Sequence, residues 1–196
     1  NLSSDTVRES VRTMKQLTEE HLQQQGRTWG EVKLGQGSIR DVEFVVQYLQ
    51  LRYGGKRPEI RTPHTLDALA YLHAGSLISA QDHRVLTDGY VFLRTIEHYL
   101  QMMHYRQTHA LPDDPDALRQ LARRLGFEGE AAFIDRYEQH RMAIRAIYLK
   151  YLGEEPMDDS QSEPRLTDTS VEHAARMDAS YAAVFTPEEV RRHASA

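Results

Sequence analysis

Cysteine is absent from this sequence, which excludes disulfides and thiolate-held metals and makes a reducing, cytoplasmic setting the expected one. An excess of positive charge is missing too. Lys and Arg number 24 against 29 Asp and Glu, a net charge of −5, so there is no global footprint for nucleic acid. No apolar run approaches the length of a membrane span, and the N-terminus lacks a signal-peptide core. Neither Gly-x-Ser-x-Gly nor His-Glu-x-x-His occurs. None of the ten histidines lies three or four residues from another, so no helical metal pair is expected. The chain opens on Asn1 rather than Met, which reads as a segment of something longer.

What remains is a chain long enough for one domain with a substantial core, plus appendages. Hydrophobic spacing predicts a mainly α fold: a bundle of about six helices, one short strand near residues 31–34, and a flexible C-terminal tail. Val7, Val11, Met14, Leu17 and Leu22 recur on one face of a first helix, with Ser3, Ser4 and Asp5 as caps and Gly26 at its end. Trp29 follows as a packing residue with its indole N–H satisfied at the surface. A helix over 39–53 is apolar over a wide arc (Val42, Val45, Val46, Leu49 and Tyr53), which makes it central, and Gly54-Gly55 offers a left-handed C-cap.

The polar loop 56–63 reads either as solvated or as a basic face for phosphate or an acidic partner. Leu66, Leu69, Ala70 and Leu72 mark a third helix over 65–74, ended by Gly75. Ser79 caps a long fourth helix whose stripe is Leu86, Tyr90, Leu93, Ile96 or Glu97, Leu100 and Met103, and Gly89 inside it permits close packing. Asp114 and Pro115 start a fifth helix that Gly126 stops. Its Arg119, Arg123 and Arg124 form a solvated basic edge. Phe133, Tyr137, Ile144, Ile147, Tyr148 and Leu152 line a sixth helix over 130–152. The bundle therefore takes residues 1–152. An acidic linker takes 153–169, and 170–196 reads as a short helical tail that begins a truncated segment.

One stretch organises the chain: Val32-Lys33-Leu34-Gly35-Gln36-Gly37-Ser38-Ile39-Arg40-Asp41-Val42-Glu43-Phe44. Val32 and Leu34 alternate with Lys33 as in a half-buried strand. Gly35 and Gly37 permit a sharp turn, Ser38 is an N-cap, and Asp41 sits at the capping-box position. Strand, glycine turn and helix N-terminus together make a possible anion site, to which Arg40 adds a forked donor. No Lys-Ser/Thr pair follows the glycines, so this is not a Walker A loop. The other reading is that Asp41 caps, Glu43 favours the positive helix end, and Arg40 holds a structural salt bridge.

Several stretches taken together resemble a known family. Lys33–Phe44 (K-L-G-Q-G-S-I-R-D-V-E-F) resembles the K-L-G-x-G-G-I-R-[DE]-I-E-F motif of the glutamine synthetase adenylyltransferase/adenylyl-removing enzymes. Val46–Gly55, Arg61–Leu69, Tyr90–Gln101 and Gln107–Asp114 are similar to further stretches of that family, in the same order. The chain departs at Ser38, where the family motif has glycine.

The resemblance implies a place after a nucleotidyltransferase core, in a helical bundle shared with PII-uridylyltransferases. The family's G-S-D-x-D and V-D-L-R-L-R-P motifs, which hold the catalytic carboxylates, do not occur here, so no catalytic residue is expected and this chain alone is expected to be inactive. In the intact enzyme, Mg²⁺ and ATP would serve AMP transfer to a glutamine synthetase tyrosine, or its phosphorolytic removal, with glutamine synthetase and the PII signal protein as partners. Lys33, Gly35, Gly37 and Arg40 would then contact phosphate, or the motif would weld the bundle to the catalytic sheet. The alternatives are a PII-uridylyltransferase-type helical domain and a non-catalytic helical adaptor.

Overall fold

The computed structural model describes residues 4–26, 29–104 and 109–153. Among these residues six α-helices follow one another: α1 (Ser4–Gln24), α2 (Ile39–Tyr53), α3 (Thr65–Ala74), α4 (Ala80–His104), α5 (Pro115–Arg124) and α6 (Glu130–Leu152), with a 3₁₀ turn at Pro58–Ile60. The caps assigned to Ser3, Ser4 and Asp5, the packing of Met103, and the expected linker and tail lie outside the described residues or their described side chains.

Helices α2, α4 and α6 pack on one another; α1 covers α2 and α6, α3 covers α2 and α4, and α5 lies on α6. The wide apolar arc of α2 explains its central place. Ile39, Val42, Val45, Val46, Tyr48 and Leu49 are all buried, and only a helix covered on several sides can use so many. Gly89 lets α4 approach α6: a Cβ there would lie 2.7 Å from Ile144 Cδ1.

Helix ends follow local chemistry. Ser79 Oγ accepts from Asp82 N (3.0 Å), and an Asp114 carboxylate oxygen accepts from Ala117 N (2.8 Å). Helix α5 closes in a Schellman turn: Phe127 N donates to Ala122 O and Gly126 N to Arg123 O, with Gly126 at φ +83°. Helix α3 closes in the same way, but the left-handed position falls on Ser76 (φ 56°) rather than Gly75. Gly54 is right-handed (φ −61°), so the left-handed cap expected there does not form; the end of α2 is held instead by Arg61 Nε donating to Gly54 O (2.6 Å).

The strand expected near residues 31–34 does not form either. Among the described residues only an isolated antiparallel bridge, Glu31 to Ala110, is present. It is carried by Val32 N to His109 O (2.8 Å) and Leu111 N to Gly30 O (2.9 Å). The chain then turns at once, and the carbonyls of Val32 and Lys33 accept from Ile39 N and Arg40 N at the start of α2. Those carbonyls cap a helix and are lost to any ladder.

On α1 the buried face is not the expected one. Val11 and Leu22 are buried, but Met14 (57% exposed) and Leu17 (62%) face outward, while Lys15 is only 2% exposed. The true inward register is 7, 11, 15, 18 and 22, with a lysine in the middle of it.

Candidate functional site

The segment 31–41 is a tight turn, seated on α6 and braced by a carboxylate on each side. Gly37 has φ +66°, and a Cβ on it would lie 2.0 Å from the Arg141 carbonyl oxygen of α6. Only glycine meets both conditions. Gly35 is also short of room, since its Cβ would stand 2.8 Å from Glu31 O.

The first brace is Asp41. It is fully buried, and one carboxylate oxygen accepts from Gly37 N (2.8 Å) and lies 3.4 Å from an Arg145 guanidinium nitrogen. The other pairs with Lys15 Nζ at 2.5 Å. The Lys15 ammonium also donates to Leu34 O (2.9 Å) and Gly35 O (2.5 Å) and lies 3.5 Å from Glu19. Glu19 closes the set by pairing with Arg145 at 2.9 Å. Two cations and two anions are thus balanced. Burial pushes the Asp41 carboxyl above its ordinary range, while Lys15, Arg145 and the Gly37 amide pull it back. Burial also lifts the neighbouring Tyr148 phenol to about 12, with the charge of Asp41 adding to the effect.

The second brace is Glu97 on α4, also buried. Lys33 Nζ lies 3.1 Å from it, Arg94 2.7 Å and His109 Nδ1 3.2 Å. Three of the stretches that carry the family resemblance, around Lys33, around Arg94 and Glu97, and around His109, meet on this one carboxylate.

The expected site residues are therefore placed as follows. Lys33 is bound to Glu97, and Arg40 lies 3.6 Å from Glu43 and over the Phe44 ring, so the two reach different partners. Gly35 and Gly37 supply room. The amides of Gly37, Ile39, Arg40 and Asp41 all have acceptors within the turn. Ser38 occupies the N-cap position with extended backbone, but its hydroxyl makes no capping bond; Asp41 reaches back to Gly37 instead.

Sequence reasoning missed Lys15, Glu19 and Arg145, and left Glu97 undecided within a helical stripe. The signal was present: Lys15 and Glu97 both fall in the inward register of their helices. A third buried carboxylate, Asp82, ties α4 to α6 through Lys150 Nζ (2.7 Å) and the Tyr151 hydroxyl (2.8 Å). Trp29 does as expected. Its indole N–H donates to Glu138 (2.8 Å) and its ring meets Tyr137 edge-on.

Among the described residues no group of three or more His, Asp or Glu is placed to hold a metal ion, and no helix is long and apolar enough to cross a membrane. Fold and site define a helical bundle module whose most constrained part is an ion-braced glycine turn. The model of the GlnD PII-uridylyltransferase family matches residues 9–152, and the chain belongs to that family. It is similar to bifunctional glutamine synthetase adenylyltransferase/adenylyl-removing enzymes. That of Burkholderia mallei is 45% identical over 118 residues, 60% of this chain and 13% of the relative. That of Rhodopseudomonas palustris is 38% identical over 133 residues, 68% and 13%. That of Streptomyces avermitilis is 40% identical over 122 residues, 61% and 12%. The chain thus spans about 13% of the length of the first of these relatives.

Proposed function

We propose that this chain is the helical part of a nucleotidyltransferase that transfers AMP from ATP to glutamine synthetase and removes it again, working in the cytoplasm. The observation that carries this reading is the junction at Glu97. It joins three stretches resembling the adenylyltransferase family, in a bundle of the size and position that the family model matches. The names of the relatives supply the substrate.

In this reading the bundle positions the protein substrate or a regulator such as PII, and the turn welds it to the catalytic domain. Mg²⁺ and ATP belong to the intact enzyme. The described carboxylates do not suit Mg²⁺: no three of them are grouped to hold a metal ion, the buried Asp41, Glu97 and Asp82 are each already held by cationic side chains, and the buried Glu31 accepts from the Lys33 backbone N–H. No step is therefore routed through a metal on this chain.

Contact with phosphate through Lys33, Gly35, Gly37 and Arg40 stays part of the proposal in a narrowed form. The amides at the start of α2 have acceptors already, so the contact would come from the part-exposed side chains of Lys33 and Arg40. Substituting Arg40→Ala in the intact enzyme tests this. A rise in KM for ATP or a fall in kcat is expected, and unchanged nucleotide affinity and turnover in a normally folded variant removes the phosphate role and leaves the weld. Adenylyl transfer by the purified chain alone would contradict the reading as a whole.

A PII-uridylyltransferase-type domain is the second reading, favoured by the name of the matching family model. Titrating the intact enzyme with glutamine synthetase and with PII, each with ATP or UTP, separates the two by which protein becomes labelled and with which nucleotide.

A further inference from the structure

The turn presents an unusual constellation of oxygens. Leu34 O and Gly35 O point at one spot, the fully buried Asp41 carboxylate faces it, and Glu19 borders it. Lys15, on a different element, fills that spot with its ammonium and is almost wholly buried there. A lysine is seldom buried to this degree unless its charge is paired and its N–H groups find acceptors. Here two carbonyls accept from the ammonium, and the Asp41 carboxylate stands against it as counter-ion. A plain salt bridge would use the carboxylate alone. Aiming two successive carbonyls at one cation requires a particular turn conformation, which Gly35 and Gly37 make available.

We propose that the glycine turn is a built site for a primary ammonium group and that Lys15 is its resident ligand, carried in by α1. Lys15 is a positioning residue. It holds the carbonyl side of the turn, while Asp41 links the same ammonium to the Gly37 amide. Docking of α1 and the shape of the turn are one event, and the directions of Lys33 and Arg40 follow from it. This holds whether or not the turn meets nucleotide, so its failure is distinct from failure of the proposed function.

The test starts with the full chain unaltered. Side-chain ¹⁵N spectra are expected to show slowly exchanging ammonium protons on Lys15 at neutral pH, and none on the solvent-accessible Lys56 and Lys150. Absence of a protected Lys15 signal overturns the proposal. The second arm uses Lys15→Ala, which deletes three carbons and the nitrogen. Amide exchange at Gly37 and along α1 is expected to quicken by at least about tenfold while the core of α6 keeps its protection. Adding n-propylammonium, which matches the deleted atoms, is expected to restore protection. Propanol (the same chain without charge) and tetramethylammonium (charge without N–H donors) at equal concentration are expected not to. Restoration by all three alike, or by none, overturns the ammonium site. If Lys15→Ala fails to fold, Lys15→Met with the ammonium spectra of the unaltered chain gives the answer: Met-variant exchange at Gly37 equal to the parent overturns the proposal.

Discussion

Gly37 offers the sharpest check on the seating of the turn against α6. Replacing it by alanine has two separable costs. The first is conformational: φ +66° is left-handed, which costs an L-residue with a Cβ about 1–2 kcal/mol. The second is steric. The new methyl would stand 2.0 Å from the Arg141 carbonyl oxygen, more than 1 Å inside van der Waals contact, and that carbonyl belongs to the backbone of α6 and cannot swing aside. Forcing atoms into a filled space costs about 1–3 kcal/mol. Lifting the turn to avoid the clash would also stretch the Asp41–Arg145 contact, already 3.4 Å. The sum is about 3 kcal/mol, a fall in Tm of roughly 6–12 °C for a chain of this size.

Gly126→Ala is the control. Its φ is +83° but nothing lies within 4 Å of the added Cβ, so it carries the conformational cost alone, about 1–2 kcal/mol. Urea denaturation of both variants followed by far-UV circular dichroism gives the difference. Losses that agree within a few tenths of a kcal/mol would mean that the turn does not rest on α6, and the account of the site would fall with it.

The buried His140, stacked on Phe92 at 4.6 Å, has its pKa lowered to about 4, chiefly by burial and then by Arg136. A lowered value means the unfolded chain binds the proton more readily, so the contribution of neutral His140 is complete above pH 6.5 and is lost as pH falls toward 4. The loss is on the order of 3 kcal/mol across that window. His140→Phe is expected to flatten it in a pH series of denaturation curves, and an unchanged slope between parent and variant counts against burial of the neutral ring. Gly89→Ala places a methyl 2.7 Å from Ile144 Cδ1, the end of a flexible side chain; the packing cost of about 1–2 kcal/mol is offset by about 1 kcal/mol of helix propensity, so a net loss of at most about 1 kcal/mol is expected. Adding Ile144→Val should restore part of that loss, and strict additivity in a double-mutant cycle would contradict the close approach of α4 and α6.

The helices were largely legible because their signals are local. Asp114-Pro115 and Gly126 delimit α5 as expected, and Ser79 caps α4. The failures have a common cause in competition for backbone carbonyls from donors seven residues further on. Val32 and Leu34 alternate as a strand should, yet the carbonyls of Val32 and Lys33 are taken by the amides of α2. Gly54 sits where a left-handed cap belongs, but Arg61 supplies the capping donor from a later loop.

The braces of the site were hidden for a different reason. A rule that reads charge as exposure places Lys15 and Glu97 outside, whereas each is neutralised by partners far off in sequence. Arg145 lies over a hundred residues from Asp41, and no window along the chain can join them. The family resemblance identified Lys33, Gly35, Gly37, Arg40 and Asp41 as belonging together without saying that Asp41 is the buried centre.

The sequence has a single tryptophan, and it stands where the segment leading into the turn meets α6, bonded to Glu138 and edge-on to Tyr137. Its fluorescence is therefore an optical gauge of this one seam. Quenching by the nearby carboxylate and energy transfer from Tyr137 both depend on the ring staying docked. A ligand, a second domain or a protein substrate that shifts the turn announces itself in the emission spectrum of the unlabelled chain, without background from any other indole.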